Sequence, residues 1–191
     1  MGKNLEKLVL FLYKRYSITP DILTYVRIFA APWLALLISK IISNRNLTLA
    51  IITLVIYTLI IFTDLLDGIL ARAISKEELH DHSYGGMLDR LSDKILIVFM
   101  LIPFGFNLFT FLIILAESIL AFQAIHSEGH KKQASKAGKI KMGLQAFLIP
   151  ILILNLTTSS ISDIVLYMYI IITIIATYVS VCSHFFYHEN D

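Results

Sequence analysis

Between Asp64 and Lys94 the chain reads DLLDGILARAISKEELHDHSYGGMLDRLSDK, and its carboxylates fall at helical spacings. Asp64 and Asp67 stand at i and i+3, and Asp89 and Asp93 at i and i+4, so each pair shares one helical face. A short connection makes the two helices antiparallel neighbours, which lets four carboxylates converge at one depth. Two like charges about 5 Å apart repel by roughly 3 kcal/mol at an effective dielectric near 20. Protons or cations must therefore neutralise several of them. Oxygen ligands without cysteine favour a hard ion, Mg²⁺ or Mn²⁺, over zinc. Gly68 leaves the helix surface open to a ligand, and Arg72, one turn on, offers a planar fork suited to phosphate oxygens. Together these residues describe a phosphate-handling metal site. Isolated solvated helix caps, or a cation pathway through a transporter, are the alternatives.

The elements that carry these residues lie in a membrane. Of 191 residues 57% are hydrophobic and only 16% charged, against roughly 25% charged in soluble domains. A mean hydropathy of +0.76 excludes an ordinary soluble globule and a disordered chain alike. A formal net charge of +2 supplies no basic field for nucleic acid. One cysteine, Cys182, excludes an internal disulfide framework.

A bilayer core takes roughly 20 helical residues to cross. Uncharged stretches then predict six helices, at about 20–43, 47–70, 86–104, 107–127, 140–157 and 163–187. The long apolar block after Ile95 exceeds one crossing, and Pro103, Gly105 and Asn107 divide it. The expected fold is all-α: an integral membrane bundle of six transmembrane helices with a polar cavity facing the cytoplasm. Its six-helix domain covers 17–188, after a juxtamembrane segment at 1–16 with Leu5, Leu8, Val9 and Leu12 on one side. Thr19-Pro20-Asp21 reads as a capped helix start rather than a cleavage site. Lys3, Lys7, Lys14, Arg15, Arg72, Lys76, Lys131, Lys132, Lys136, Lys139 and Lys141 share one side, against Lys40 and Arg45 on the other. The positive-inside rule puts the former side, with both termini, in the cytoplasm.

Other residues carry weaker signals. Arg27 is a charge within a predicted span, hence functional, paired or snorkelling. Lys139 and Lys141 are candidates for an acceptor phosphate, or positive-inside lysines at lipid headgroups. Glu117, inside a helix, could orient an acceptor or a lysine. His80, Asp81 and His82 read as a solvated loop, and His126 and His130 as interfacial.

The pattern Asp64-x2-Asp67-Gly68-x2-Ala71-Arg72, then Gly85-x3-Asp89-x3-Asp93, resembles the CDP-alcohol phosphotransferase (CDP-alcohol phosphatidyltransferase) family. Its linker has twelve residues where the family usually has eight. Thr19-Pro20-Asp21-Ile22-Leu23-Thr24-x2-Arg27 is similar to the family's first core helix, which helps hold the CDP-lipid. GMLDRLSDK is similar to the GxxLDPxADK of phosphatidylglycerolphosphate and cardiolipin synthases, with Arg90 for the proline. Gly138-Lys139-Ile140-Lys141-x3-Gln145 is similar to a further segment of the former, with Met142 for threonine. The Arg-Glu pair of their fourth helix is Ala116-Glu117 here.

The resemblance implies transfer of the phosphatidyl group of CDP-diacylglycerol to a small polar alcohol, with release of CMP. It implies that Asp64, Asp67, Asp89 and Asp93 bind one or two Mg²⁺ or Mn²⁺ ions, and that Asp93 is also the general base. Asp21, Thr24, Asp64, Gly68, Ala71, Arg72 and Gly85 would meet the nucleotide or CDP-lipid, and Arg27, Lys139 and Lys141 the acceptor phosphate. Glycerol 3-phosphate is the expected acceptor, with phosphatidylglycerol or inositol phosphate as alternatives. Membrane lipids are expected partners, as is a second copy in a homodimer.

Overall fold

A computed structural model of the chain describes residue 15 and residues 19–77, 83–126 and 136–188. Within these, the side chains at 20, 65, 67, 71–77, 83–87, 90, 126, 136 and 184–188 lie outside the description. The segment 3–16 expected on the membrane surface (Arg15 apart), the His80–His82 loop and His130 fall outside the described residues as well.

Every described element is helical: α1 (Pro20–Asn44), α2 (Leu47–Glu77), α3 (Ser83–Leu101), a 3-10 turn (Ile102–Phe104), α4 (Leu108–His126), α5 (Lys136–Thr158) and α6 (Asp163–His188). Local chemistry sets their ends. Thr19 caps α1, accepting from the Ile22 N–H at 3.4 Å, and Pro20 stands in the first turn, where a missing N–H costs nothing. Arg45 closes α1 in a left-handed conformation, donating its N–H to the Ile41 carbonyl. The Asn46 side chain then starts α2 by accepting from Leu49 N–H. The divided apolar block turns where Pro103, Gly105 and Asn107 predict: the 3-10 turn holds Pro103, Gly105 has φ 83°, and Asn107 and Thr110 cap α4 reciprocally. Some boundaries move, and the helix expected at 140–157 begins at Lys136. The second helix runs on to Glu77 and the third begins at Ser83.

α1 is the central helix, packed against α2, α3 and α5, while α4 and α6 close the other side. Its buried positions are Thr24, Arg27, Ala31, Leu34, Ile38 and Ile41, alternating by three and four residues. That is the seam of a helix buried along one stripe. α2 presents Ala50, Thr53, Tyr57 and Ile60 in the same rhythm, and Asp64 is the next position of the series. α3 buries Ser92, Leu96 and Met100, with Asp89 and Asp93 on the same side. The acids thus prolong the packing seams of two helices beyond their apolar stretch. Phe29, Trp33, Phe122, Phe147 and Ile164 are more than 60% exposed, as suits side chains that face hydrocarbon.

Tyrosine hydroxyls tie the bundle together. Pro150 removes the N–H that would have bonded the Ala146 carbonyl, and the buried Tyr57 hydroxyl donates to that carbonyl at 3.0 Å. Tyr169 donates to the Leu144 carbonyl, joining α6 to α5, and Tyr178 to the Leu112 carbonyl, joining α6 to α4.

Among the described residues, five helical segments are long and apolar enough to cross a membrane: Asp21–Asn44, Leu47–Leu70, Leu108–Ile125, Ala137–Thr158 and Asp163–Ser183. The chain is a multi-pass membrane protein. α3 does not meet that measure, because its first half carries Asp89, Arg90, Asp93 and Lys94 and only Ile95–Leu101 is continuously apolar.

Candidate active site

Three carboxylates expected to converge do so. Asp64 from α2 and Asp89 and Asp93 from α3 can each offer an oxygen such that all three lie within 4.8 Å of one another. α2 and α3 both pack on α1, and the acids that continue their buried stripes converge at Arg27 of that helix. Their side chains are 25–38% exposed, so the group lies at a border between packed core and an open side.

Arg27 completes the cluster from α1. Its side chain has no exposed surface, and its Nη1 donates to Asp64 Oδ1 at 2.6 Å and to Asp93 Oδ1 at 2.5 Å, while Nη2 donates to Asp89 Oδ1 at 2.8 Å. One planar guanidinium thus serves three acids from two other helices through two of its nitrogens. Sequence reasoning left Arg27 between an acceptor phosphate, a charge partner and the interface. The structure pairs it with the acids.

The chemistry of the cluster suits a hard divalent ion. All its ligand atoms are carboxylate oxygens, and one from each residue lies within 4.8 Å of the others, within reach of a single ion.

The remaining expected residues are placed as follows. Asp67, Gly68, Ala71 and Arg72 lie along the last turns of α2, and Gly85 in the first turn of α3; of these only Gly68, half-buried, is described beyond its backbone. Asp21 is exposed in the first turn of α1, and Thr24 is buried one turn before Arg27.

Lys139 is exposed near the start of α5, whereas Lys141 is not. The Lys141 ammonium bonds Glu117 of α4, 2.7 Å from Oε1 and 2.8 Å from Oε2. Gln145, one turn further along α5, donates to Glu117 Oε1 at 2.6 Å and to Thr177 Oγ1 of α6 at 3.3 Å. All four side chains are buried, so a charged, hydrogen-bonded network joins three helices inside the bundle. Glu117 therefore holds a lysine, one of the two roles its sequence allowed. Gln145 and Thr177 were not singled out as site residues, although the i, i+4 spacing of Lys141 and Gln145 places them on one face. A separate cavity of about 280 Å³, bounded by Leu101, Phe104, Thr110 and Tyr167, lies toward the opposite end of α3 and has mostly apolar walls.

A protein-family model described as CDP-alcohol phosphatidyltransferase matches residues 17–179. That range contains Arg27, the three acids and the Glu117–Lys141 pair. No significant match is found among curated proteins or among solved structures.

Proposed function

The chain belongs to the CDP-alcohol phosphatidyltransferase family, and from that premise we propose that it transfers the phosphatidyl group of CDP-diacylglycerol to glycerol 3-phosphate, giving phosphatidylglycerol phosphate and CMP. Transfer from a CDP-alcohol to an acceptor in membrane lipid is the activity of the family, and the chain is an enzyme of that kind. The acceptor rests on the likeness of GMLDRLSDK and the Gly138–Gln145 segment to phosphatidylglycerolphosphate synthases. The observation that carries the reading is the convergence of Asp64, Asp89 and Asp93 from two helices that both pack on α1.

The family is generally dependent on a divalent metal. In the proposed mechanism Asp64, Asp67, Asp89 and Asp93 would hold Mg²⁺ or Mn²⁺, and the ion would supply charge neutralisation for a diphosphate substrate. Asp93 is the general base. Arg27 occupies its Oδ1, and its other oxygen takes the proton of the acceptor hydroxyl. The deprotonated oxygen attacks the lipid-linked phosphorus, and the bond to CMP breaks with its electron pair. Asp21, Thr24, Gly68, Ala71, Arg72 and Gly85 hold the CDP-lipid. For the acceptor phosphate Lys139 is the accessible cation, and Lys141 joins it only by exchanging Glu117 for that phosphate.

The same reading makes α3 a sixth crossing. It also opens the site to the cytoplasm with both termini, makes 17–188 the catalytic domain and predicts a homodimer. The test is CMP release from CDP-diacylglycerol with Mg²⁺ or Mn²⁺ and a panel of acceptors. Glycerol 3-phosphate should support the fastest release, and Asp93→Asn should bind nucleotide without turnover. Full turnover in that variant removes Asp93 from the mechanism, and release with another alcohol alone replaces the acceptor.

A further inference from the structure

A guanidinium with no exposed surface is costly unless its charge is met in full. Arg27 sits in the seam of α1 directly before Ala31, Leu34 and Ile38, all almost wholly buried. Its charge is met by Asp64, Asp89 and Asp93 together. The dependence is mutual, since three carboxylates within 4.8 Å of one another would repel strongly without a cation among them. The burial is asymmetric: the acids are a quarter to a third or more exposed and the arginine is not, so Arg27 backs the cluster from the core. One arginine faces three acids, so it can offset at most one of their charges.

We propose that Arg27 is the enzyme's built-in counter-cation: it holds Asp64, Asp89 and Asp93 together when no metal is bound, and it opposes the divalent ion that those acids then take up. The inference rests on the reading of the acids as a metal site. A fixed positive charge in contact with every described ligand repels an incoming ion, so it weakens metal binding by the free enzyme. A substrate diphosphate adds negative charge beside the ion and offsets that repulsion, so metal and CDP-lipid bind with positive coupling. Arg27 is a positioning residue in this account; it acts through the carboxylates and not on the phosphorus.

The full chain in nanodiscs tests this by titration with Mn²⁺, the free ion being followed by its paramagnetic resonance signal. Thermal unfolding in EDTA and in Mn²⁺ is measured beside it. In the wild type, Mn²⁺ should raise the unfolding temperature less than it does in Arg27→Gln, because Arg27 already offsets part of the acids' charge. Arg27→Gln should melt lower in EDTA, recover when Mn²⁺ is added, and bind Mn²⁺ about tenfold or more tightly than wild type. Arg27→Lys keeps the charge and should stay within about threefold of wild-type affinity. Tighter binding by Arg27→Gln is an outcome that mere loss of structure does not produce. Mn²⁺ binding that is unchanged or weaker in Arg27→Gln overturns the proposal, as does a melting loss that Mn²⁺ fails to restore. A wild type that binds no Mn²⁺ at all instead overturns the metal-site reading, and the proposal with it.

Discussion

Replacing Glu117 with leucine should strip the network between α4, α5 and α6 of its acid. Lys141 and Glu117 are 6% and 1% exposed, so neither reaches bulk water where it stands. Removing one partner of such a pair strands the other charge, and the cost is about 3–5 kcal/mol. Gln145 also loses its 2.6 Å acceptor and retains only the longer contact to Thr177. In a chain of this length each kcal/mol moves the melting temperature by about 2–4 °C. Glu117→Leu should therefore lower it by roughly 6–20 °C. The double variant Glu117→Leu/Lys141→Leu removes both charges and replaces them with apolar volume, which is commonly close to neutral in a buried setting. It should recover most of the loss. Thermal unfolding of the four members of this double-mutant cycle, followed by circular dichroism in one detergent, supplies the coupling energy. A single variant that loses less than about 1 kcal/mol would mean that Lys141 finds water or another anion, against the burial argument. A double variant as unstable as the single one would mean that the pair's own attraction, rather than a stranded charge, dominates.

Tyr57→Phe should leave the Ala146 carbonyl, already deprived of its helical donor by Pro150, without a bond. The expected loss is about 1–2 kcal/mol, read by the same unfolding measurement; Tyr57→Phe combined with Pro150→Ala should lose less, because the helix then bonds that carbonyl itself. Lys139→Gln should raise the KM for glycerol 3-phosphate more than for CDP-diacylglycerol, and equal effects would make Lys139 a headgroup contact. Asp89→Asn should reduce Mn²⁺ affinity while Asp21→Asn, exposed and outside the cluster, leaves it unchanged; Mn²⁺ titration checks both.

Much of this was legible in the chain because membrane helices are written in long uncharged runs with turn residues between them. Pro103, Gly105 and Asn107 placed a turn where local backbone chemistry alone decides it. The i, i+3 and i, i+4 spacing of the acids placed them on single faces, since helical periodicity needs no tertiary information. The extension of α2 to Glu77 was less legible. Beyond Leu70 come Arg72, Ser75, Lys76 and Glu77, and hydropathy marks where a helix leaves hydrocarbon rather than where its hydrogen bonding ends.

By itself, then, the amino-acid order determined an all-helical membrane chain, the approximate ends of its helices and the clustering of Asp64, Asp89 and Asp93. It could not say which cation answers those acids, or what answers Lys141. Arg27 lies 37 residues from Asp64 and 66 from Asp93, and Glu117 lies 24 from Lys141. Pairings over such separations depend on how helices rotate and cross, which the packing of whole seams decides and no local spacing encodes. Only the tertiary structure could show that the arginine faces the carboxylates and that the lysine is already taken.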